Sequence, residues 1–359
     1  MDQMMPQEGG GGAGGGACLL CKKSCSGFQP HSWRKACTAC GCNTVDHALT
    51  CDVEDDQGMG RLLADSPCSH LTAKVKGGGG LRMYKRNRMI VTNPVVSRKD
   101  PTFNTTTYDW APAGLNQKLA VRYMELLPAG QRPISGTAGS LERRRQLLVQ
   151  LPVYDQDPMK CQSLKSEEEI SSMLLFVKHY KQEVLGVGEV ALPGEGGALR
   201  EAANQRTLKE DKERNDTEKE SQQQQDCGSA AGTAGTGSSN SADDSVQTEY
   251  RCTGCQAAVA KESPVVYAER AGYHDAMWHP TCFTCSGCGQ GLVDLVYFWS
   301  NHKLFCGRHY CQGVWPRCSG CDELIFCRSF HRAPDGRTWH LDHRCCWRCG
   351  HSPDTPCQH

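Results

Sequence analysis

The chain has 359 residues, of which 38% are apolar, 24 are cysteine and 38 are glycine, and its formal net charge is zero. An apolar share this low, with a mean hydropathy of −0.55, excludes one large greasy core and points to small modules joined by polar segments. No run approaches the roughly 18 apolar residues that span a bilayer, and balanced charge gives no overall field to draw in nucleic acid.

Residues 1–17 form a glycine-rich tract, expected to be disordered because it buries nothing against its backbone entropy. The tract lacks the apolar stretch of a secretory signal, so the cysteines are read as thiols of a reducing compartment. Recurrent short spacings there indicate metal ligands rather than disulfides. Seven cysteines fall between Cys18 and Cys51 and fourteen between Cys252 and Cys357, leaving the middle nearly free of them.

Residues 18–51 carry Cys18-x-x-Cys21, Cys25, His31, Trp33, Cys37-x-x-Cys40, Cys42 and His47. Such density implies one or two zinc ions, and the spacing leaves the pairing open. The two CxxC turns favour one site of Cys18, Cys21, Cys37 and Cys40; a competing arrangement brings in Cys25, Cys42 and His47.

A short acidic connector is expected at 52–56, then a folded unit over 74–185. Its β-like residues lie around 81–96. Leu115, Leu119, Tyr123, Leu126 and Leu127 recur at helical spacing, and a second helical pattern over 141–151 stops at Pro152. The third comprises Ile170, Met173, Leu174, Val177 and Val184, opened by Ser166 and Glu169 at capping-box spacing. Between residues 74 and 150 stand 14 Lys and Arg against four acidic residues, densest at Lys85-Arg86-Asn87-Arg88 and Arg143-Arg144-Arg145. This reads as a solvated basic face or a surface for an acidic partner, with nuclear import or nucleic acid as the alternative. Residues 186–248, rich in Gly, Ser, Gln and mixed charge, read as a flexible linker.

From residue 252 the ligand-type residues run Cys252, Cys255, His279, Cys282, Cys285, Cys288, Cys306 and His309. Zinc favours four S or N donors in a closed tetrahedron. The economical division is sequential: Cys252, Cys255, His279 and Cys282 on one ion, Cys285, Cys288, Cys306 and His309 on the next. Cys311 is surplus. Trp278 and Phe283 flank the seam between the fingers and are candidates for its small core. The rhythm restarts with Cys318, Cys321, His340 and His343, a third firm site. Cys346 and Cys349 continue the rhythm, but only Cys357 and His359 follow, so the last site is either truncated or irregular.

The eight-ligand pattern at 251–312 resembles the LIM domain family, and 316–359 resembles a second LIM domain, incomplete at its C-terminus. LIM domains are tandem zinc ribbons of short antiparallel hairpins that bind other proteins. The segment from Tyr108-Asp109-Trp110-Ala111-Pro112-Ala113-Gly114 to Gln146-Leu147-Leu148-Val149-Gln150-Leu151-Pro152 resembles a PET domain, mostly helical, as found beside LIM domains in prickle and testin proteins. The order of cysteine-rich region, PET, LIM and LIM is most similar to the LIM and cysteine-rich domains branch of that family. The resemblance implies a multidomain, zinc-dominated fold and a non-enzymatic adaptor with protein partners. It further implies a transcriptional cofactor or corepressor that restrains GATA-family factors, is linked to calcineurin signalling in muscle, and occurs in cytoplasm and nucleus. A cytoskeletal or signalling scaffold of testin type is the alternative. Direct DNA binding is disfavoured because the stretches between ligands, such as 264–267 and 292–299, read as strands rather than groove-reading helices. A RING-type ubiquitin ligase is disfavoured because its ligands interleave across two sites. No small-molecule substrate and no membrane are expected.

Overall fold

The computed structural model describes residues 18, 20–21, 25, 27–47, 52–77, 79–95, 102–206, 249–272 and 276–345. The tract 1–17, linker residues 207–248, and the candidate ligands Cys346, Cys349, Cys357 and His359 lie outside the described residues.

The stretch expected to be an acidic connector is instead the first turn of helix α1 (Asp52–Leu63). Acidic residues favour a helix N-terminus, and Met59, Leu62 and Leu63 bury one face at i, i+3 and i+4. Strands β1 (Thr72–Lys74) and β2 (Arg82–Tyr84) pair antiparallel, as do β3 (Met89–Val95) and β4 (Thr102–Tyr108). The three expected helices follow. Helix α2 (Gln117–Leu126) is capped by the Asn116 side chain, which accepts from the Leu119 N–H at 2.9 Å. Helix α3 (Ala138–Gln150) ends before Pro152, which cannot continue it. Helix α4 (Glu167–Glu183) opens with the Ser166–Glu169 capping box. Its buried face is Met173, Phe176, Val177 and Tyr180, while Ile170 and Leu174 of the expected stripe are exposed.

Residues 186–206, expected to begin the linker, are folded. They finish β5 (Leu185–Val187), supply β6 (Glu189–Ala191), and form a helix, α5, over 196–206. Beyond residue 248 come β7 (Val265–Tyr267), β8 (Met277–Trp278), β9 (Val296–Ser300), β10 (Lys303–Phe305) and helix α6 (Gly307–Val314), then β11 (His331–Arg332) and β12 (Thr338–Trp339). The strand β6 joins β7 and β8 in one three-stranded sheet, and β5 joins β9 and β10 in another. The end of the helical unit thus adds a strand to each of the two fingers that follow it.

The pairing is tight. Gly186 lies opposite Tyr297, and a Cβ at Gly186 would sit 2.4 Å from the Tyr297 ring. Gly186→Val is therefore expected to lower stability by about 1–3 kcal/mol, the usual cost of overpacking. The check is a lower denaturant midpoint with bound metal unchanged.

Contrary to the separate small modules expected from composition, one apolar core runs through both halves, because the helical unit and the fingers bury their apolar faces against each other. Tyr180 of α4 packs on Phe298 of β9 at 5.3 Å, Phe298 stacks on Tyr310 of α6 at 5.3 Å, and Trp315 meets Phe326 at 4.7 Å between ring centres. Polar ties reinforce this seam. Arg143 of α3 donates to both carboxylate oxygens of Asp294, at 2.7 and 2.5 Å, and both side chains are buried. Arg143 is thus withdrawn from the basic face expected at Arg143-Arg144-Arg145. Gln150 donates to the Gly291 carbonyl and accepts from the Val293 N–H. Arg317 makes a second buried fork to Asp155, at 3.0 and 2.5 Å. Arg308 of α6 and Tyr154 converge on Asp322, which ties the segment that follows α6 to its neighbours.

Candidate metal centres

One backbone turn recurs four times. At Cys37, Cys252, Cys285 and Cys318 the cysteine N–H donates to the carbonyl five residues on, while the N–H four residues on donates back to the cysteine carbonyl. The residue at that fourth position is Gly41, Gln256, Gly289 or Asp322, each with φ between 62° and 74°. This left-handed step curls the CxxC so that both thiols face one side. Glycine suits it at two of the four.

The three sets expected from spacing in the C-terminal half are each assembled. Cys252, Cys255, His279 and Cys282 converge, as do Cys285, Cys288, Cys306 and His309, and Cys318, Cys321, His340 and His343; within each set the donor atoms lie within 4.8 Å of one another. Pairing is sequential, not interleaved. The distances can be tested against zinc. With Zn–S about 2.3 Å and Zn–N about 2.0–2.1 Å, tetrahedral edges are about 3.8 Å for S···S, 3.5–3.6 Å for S···N and 3.3 Å for N···N. Cys255 to His279 is 3.4 Å, Cys306 to His309 3.2 Å, Cys318 to His343 3.6 Å, Cys321 to His340 3.4 Å, and His340 to His343 3.2 Å. Each of these histidines presents Nδ1. The residues fit zinc: only S and N donors, four to a set, with no position left for water or substrate.

Without metal the thiols of a set share protons: a hydrogen bond from the Cys306 thiol lowers Cys285, and the same bond raises Cys306. Backbone N–H groups of His279, Gly287 and Gly320 donate to Cys252, Cys285 and Cys318 at 3.3–3.4 Å, favouring negative sulfur. Cys311 stands outside every set, and burial pushes its thiol well above the ordinary value, as suits inert packing. Trp278 and Phe283 are both buried and meet edge to face at 5.6 Å, the seam expected of them.

The N-terminal pairing differs from the favoured one. Cys18 and Cys21 converge with Cys40 and Cys42, whereas Cys37 joins Cys25, Cys40 and His47. The two CxxC turns do not face one ion, because the Cys37–Cys42 turn directs Cys37 toward Cys25 at 3.7 Å. The competing reading with Cys25, Cys42 and His47 is the one the geometry follows. His47 presents Nε2, at 3.6 Å from Cys25 and 3.5 Å from Cys40, and its Nδ1 faces the Asn43 carbonyl at 2.9 Å. That carbonyl fixes the ring as neighbouring acceptors do around metal-binding histidines.

This module is seated on the Cys318, Cys321, His340 and His343 set. Trp33 stacks flat on His343, 4.1 Å between centres and 7° between planes, and the Arg34 guanidinium lies over the Trp33 ring at 4.3 Å. Lys35 reaches the fully buried Glu323 at 2.6 Å, where the Gln162 and Ser163 N–H groups also donate. Burial would raise the Glu323 carboxyl, but the Lys35 ammonium and these donors hold it below its ordinary value. One carboxylate joins the three modules. No spacing rule points to Glu323 or Trp33.

Comparison with known proteins agrees with this architecture. The PET Domain family model matches residues 89–191 and the LIM domain model residues 252–314. The chain is 52% identical over 332 residues to LIM and cysteine-rich domains protein 1 of Homo sapiens, covering 92% of this chain and 85% of that protein. It is 51% identical to the Bos taurus protein of the same name over the same shares. Against Testin of Rattus norvegicus it is 45% identical over 92% of this chain and 74% of the relative. With its cysteine-rich, PET and LIM modules in the same order as the motifs required, the chain belongs to the PET/LIM family of LIM and cysteine-rich domains proteins and testins.

Proposed function

We propose that the protein is a non-catalytic adaptor that holds other proteins through its LIM and PET surfaces, with zinc in a structural role. The observation that carries this reading is the closure of the donor sets: each is filled by protein S and N atoms, so bound zinc would supply folding free energy rather than an open coordination position. Membership of the PET/LIM family supports it.

At finer grain, the reading is a transcriptional cofactor or corepressor that restrains GATA-family factors, acts in calcineurin signalling in muscle and moves between cytoplasm and nucleus. Support for this comes from the likeness to the LIM and cysteine-rich domains proteins. The test is capture of purified GATA zinc-finger protein by the full chain, followed by a reporter assay. Specific micromolar capture with repression is expected; no capture at tens of micromolar defeats the reading. Identity of 45% to Testin favours a second reading, a cytoskeletal or signalling scaffold, for which cytoskeletal proteins are captured instead. Direct DNA reading gains little support: β7 and β9 occupy the stretches between ligands, and Arg143 is committed to Asp294.

A further inference from the structure

The N-terminal module poses a counting problem. Its two donor sets need eight ligand positions for two closed ions, and among the described residues seven supply them: Cys18, Cys21, Cys25, Cys37, Cys40, Cys42 and His47. Cys40 belongs to both sets. Its sulfur lies 3.5 Å from His47 Nε2 and within 4.8 Å of the thiols of Cys25 and Cys37 in one set and of Cys18, Cys21 and Cys42 in the other.

We propose that Cys40 Sγ is a bridging thiolate and that residues 18–47 hold a two-zinc cluster, deepening the structural-zinc reading above. The chemistry supports sharing. A thiolate sulfur has lone pairs enough to bind two cations, whereas a metal-bound imidazole nitrogen has only one to give. The charge balance also gains. Unshared, a four-thiolate site and a three-thiolate, one-histidine site would leave −2 and −1, while six thiolates and one histidine around two Zn²⁺ leave −2 for the whole cluster, which a partly buried position tolerates better. The turn explains why Cys40 holds this place. The Cys37 N–H donates to the Cys42 carbonyl at 2.8 Å and the Gly41 N–H to the Cys37 carbonyl at 2.8 Å. That ring holds Cys37, Cys40 and Cys42 in one tight turn, in which Cys40 shares a set with each of the other two.

The donor sets also give each metal a signature. Cys18, Cys21, Cys40 and Cys42 form the one all-sulfur set among the described residues; the others each include at least one histidine. The experiment is NMR of the full chain loaded with ¹¹³Cd, in which shift separates all-sulfur from mixed S/N sites and a shared sulfur couples the two metals through bonds. The expected result is one all-sulfur resonance split by, and correlated with, one three-sulfur, one-nitrogen resonance, while the LIM resonances stay unsplit. Cys40→Ser should abolish the correlation and release two ions per chain, whereas the LIM resonances remain. Two N-terminal resonances without a correlation, or a single N-terminal metal, overturns the bridge while leaving the LIM zinc sites and the adaptor reading intact. Loss of the LIM resonances on chelation-free loading, by contrast, counts against the structural-zinc reading itself.

Discussion

Arg143→Ala is expected to destabilise the folded PET–LIM unit by about 3–5 kcal/mol, because it leaves the buried Asp294 carboxylate without its partner. Burial disfavours the guanidinium charge, yet Asp294 more than offsets this and raises the Arg143 pKa. The cost belongs to the orphaned charge rather than to the pair. Arg143→Met combined with Asp294→Asn should therefore recover much of the loss, since neither charge remains. Asn also tolerates the left-handed backbone at position 294, where φ is 49°. Denaturant unfolding of the two single variants and the double variant tests this. Additive losses would mean that the pair contributes no coupling across the seam.

Cys306→Ala is expected to do more. It removes one donor from the set with Cys285, Cys288 and His309, and structural zinc contributes roughly 10–16 kcal/mol of apparent binding free energy. That is comparable to the roughly 5–15 kcal/mol that stabilises a whole domain. The expected outcome is one zinc fewer per chain and unfolding of the finger around it. Because β5 pairs with β9, hydrogen exchange should rise at 185–187 as well as at 296–305. Unchanged protection at 185–187 would mean that the strand addition does not depend on the finger.

The C-terminal ligand sets were legible because zinc imposes short fixed spacings, and a closed tetrahedron leaves little freedom in the division. Helices α2 to α4 were legible through local punctuation, such as Ser166 with Glu169 and the stop at Pro152. What failed was non-local. Nothing near Leu185 or Val190 signals a strand; these segments become strands because β9 and β7, far along the chain, offer open edges. The buried face of α4 turned toward Phe176 and Tyr180 because their partners, Phe298 and Tyr310, belong to the LIM half. The Met59, Leu62 and Leu63 stripe of α1 carried a helical signal that the acidic run 52–56 obscured. In the N-terminal module two CxxC turns suggested one shared ion, but spacing does not encode the direction in which a turn aims each thiol.

Zinc is expected to hold the fingers on which half of the shared apolar core rests, and removing it from the whole protein tests that statement most directly. After a strong chelator has stripped the full chain, with complete removal verified by elemental analysis, thermal unfolding and the near-ultraviolet spectrum of the aromatic seam are measured. The expected result is loss of the cooperative transition and of the aromatic signal, both restored by zinc. A metal-free chain with the same transition midpoint and the same aromatic spectrum would contradict the account.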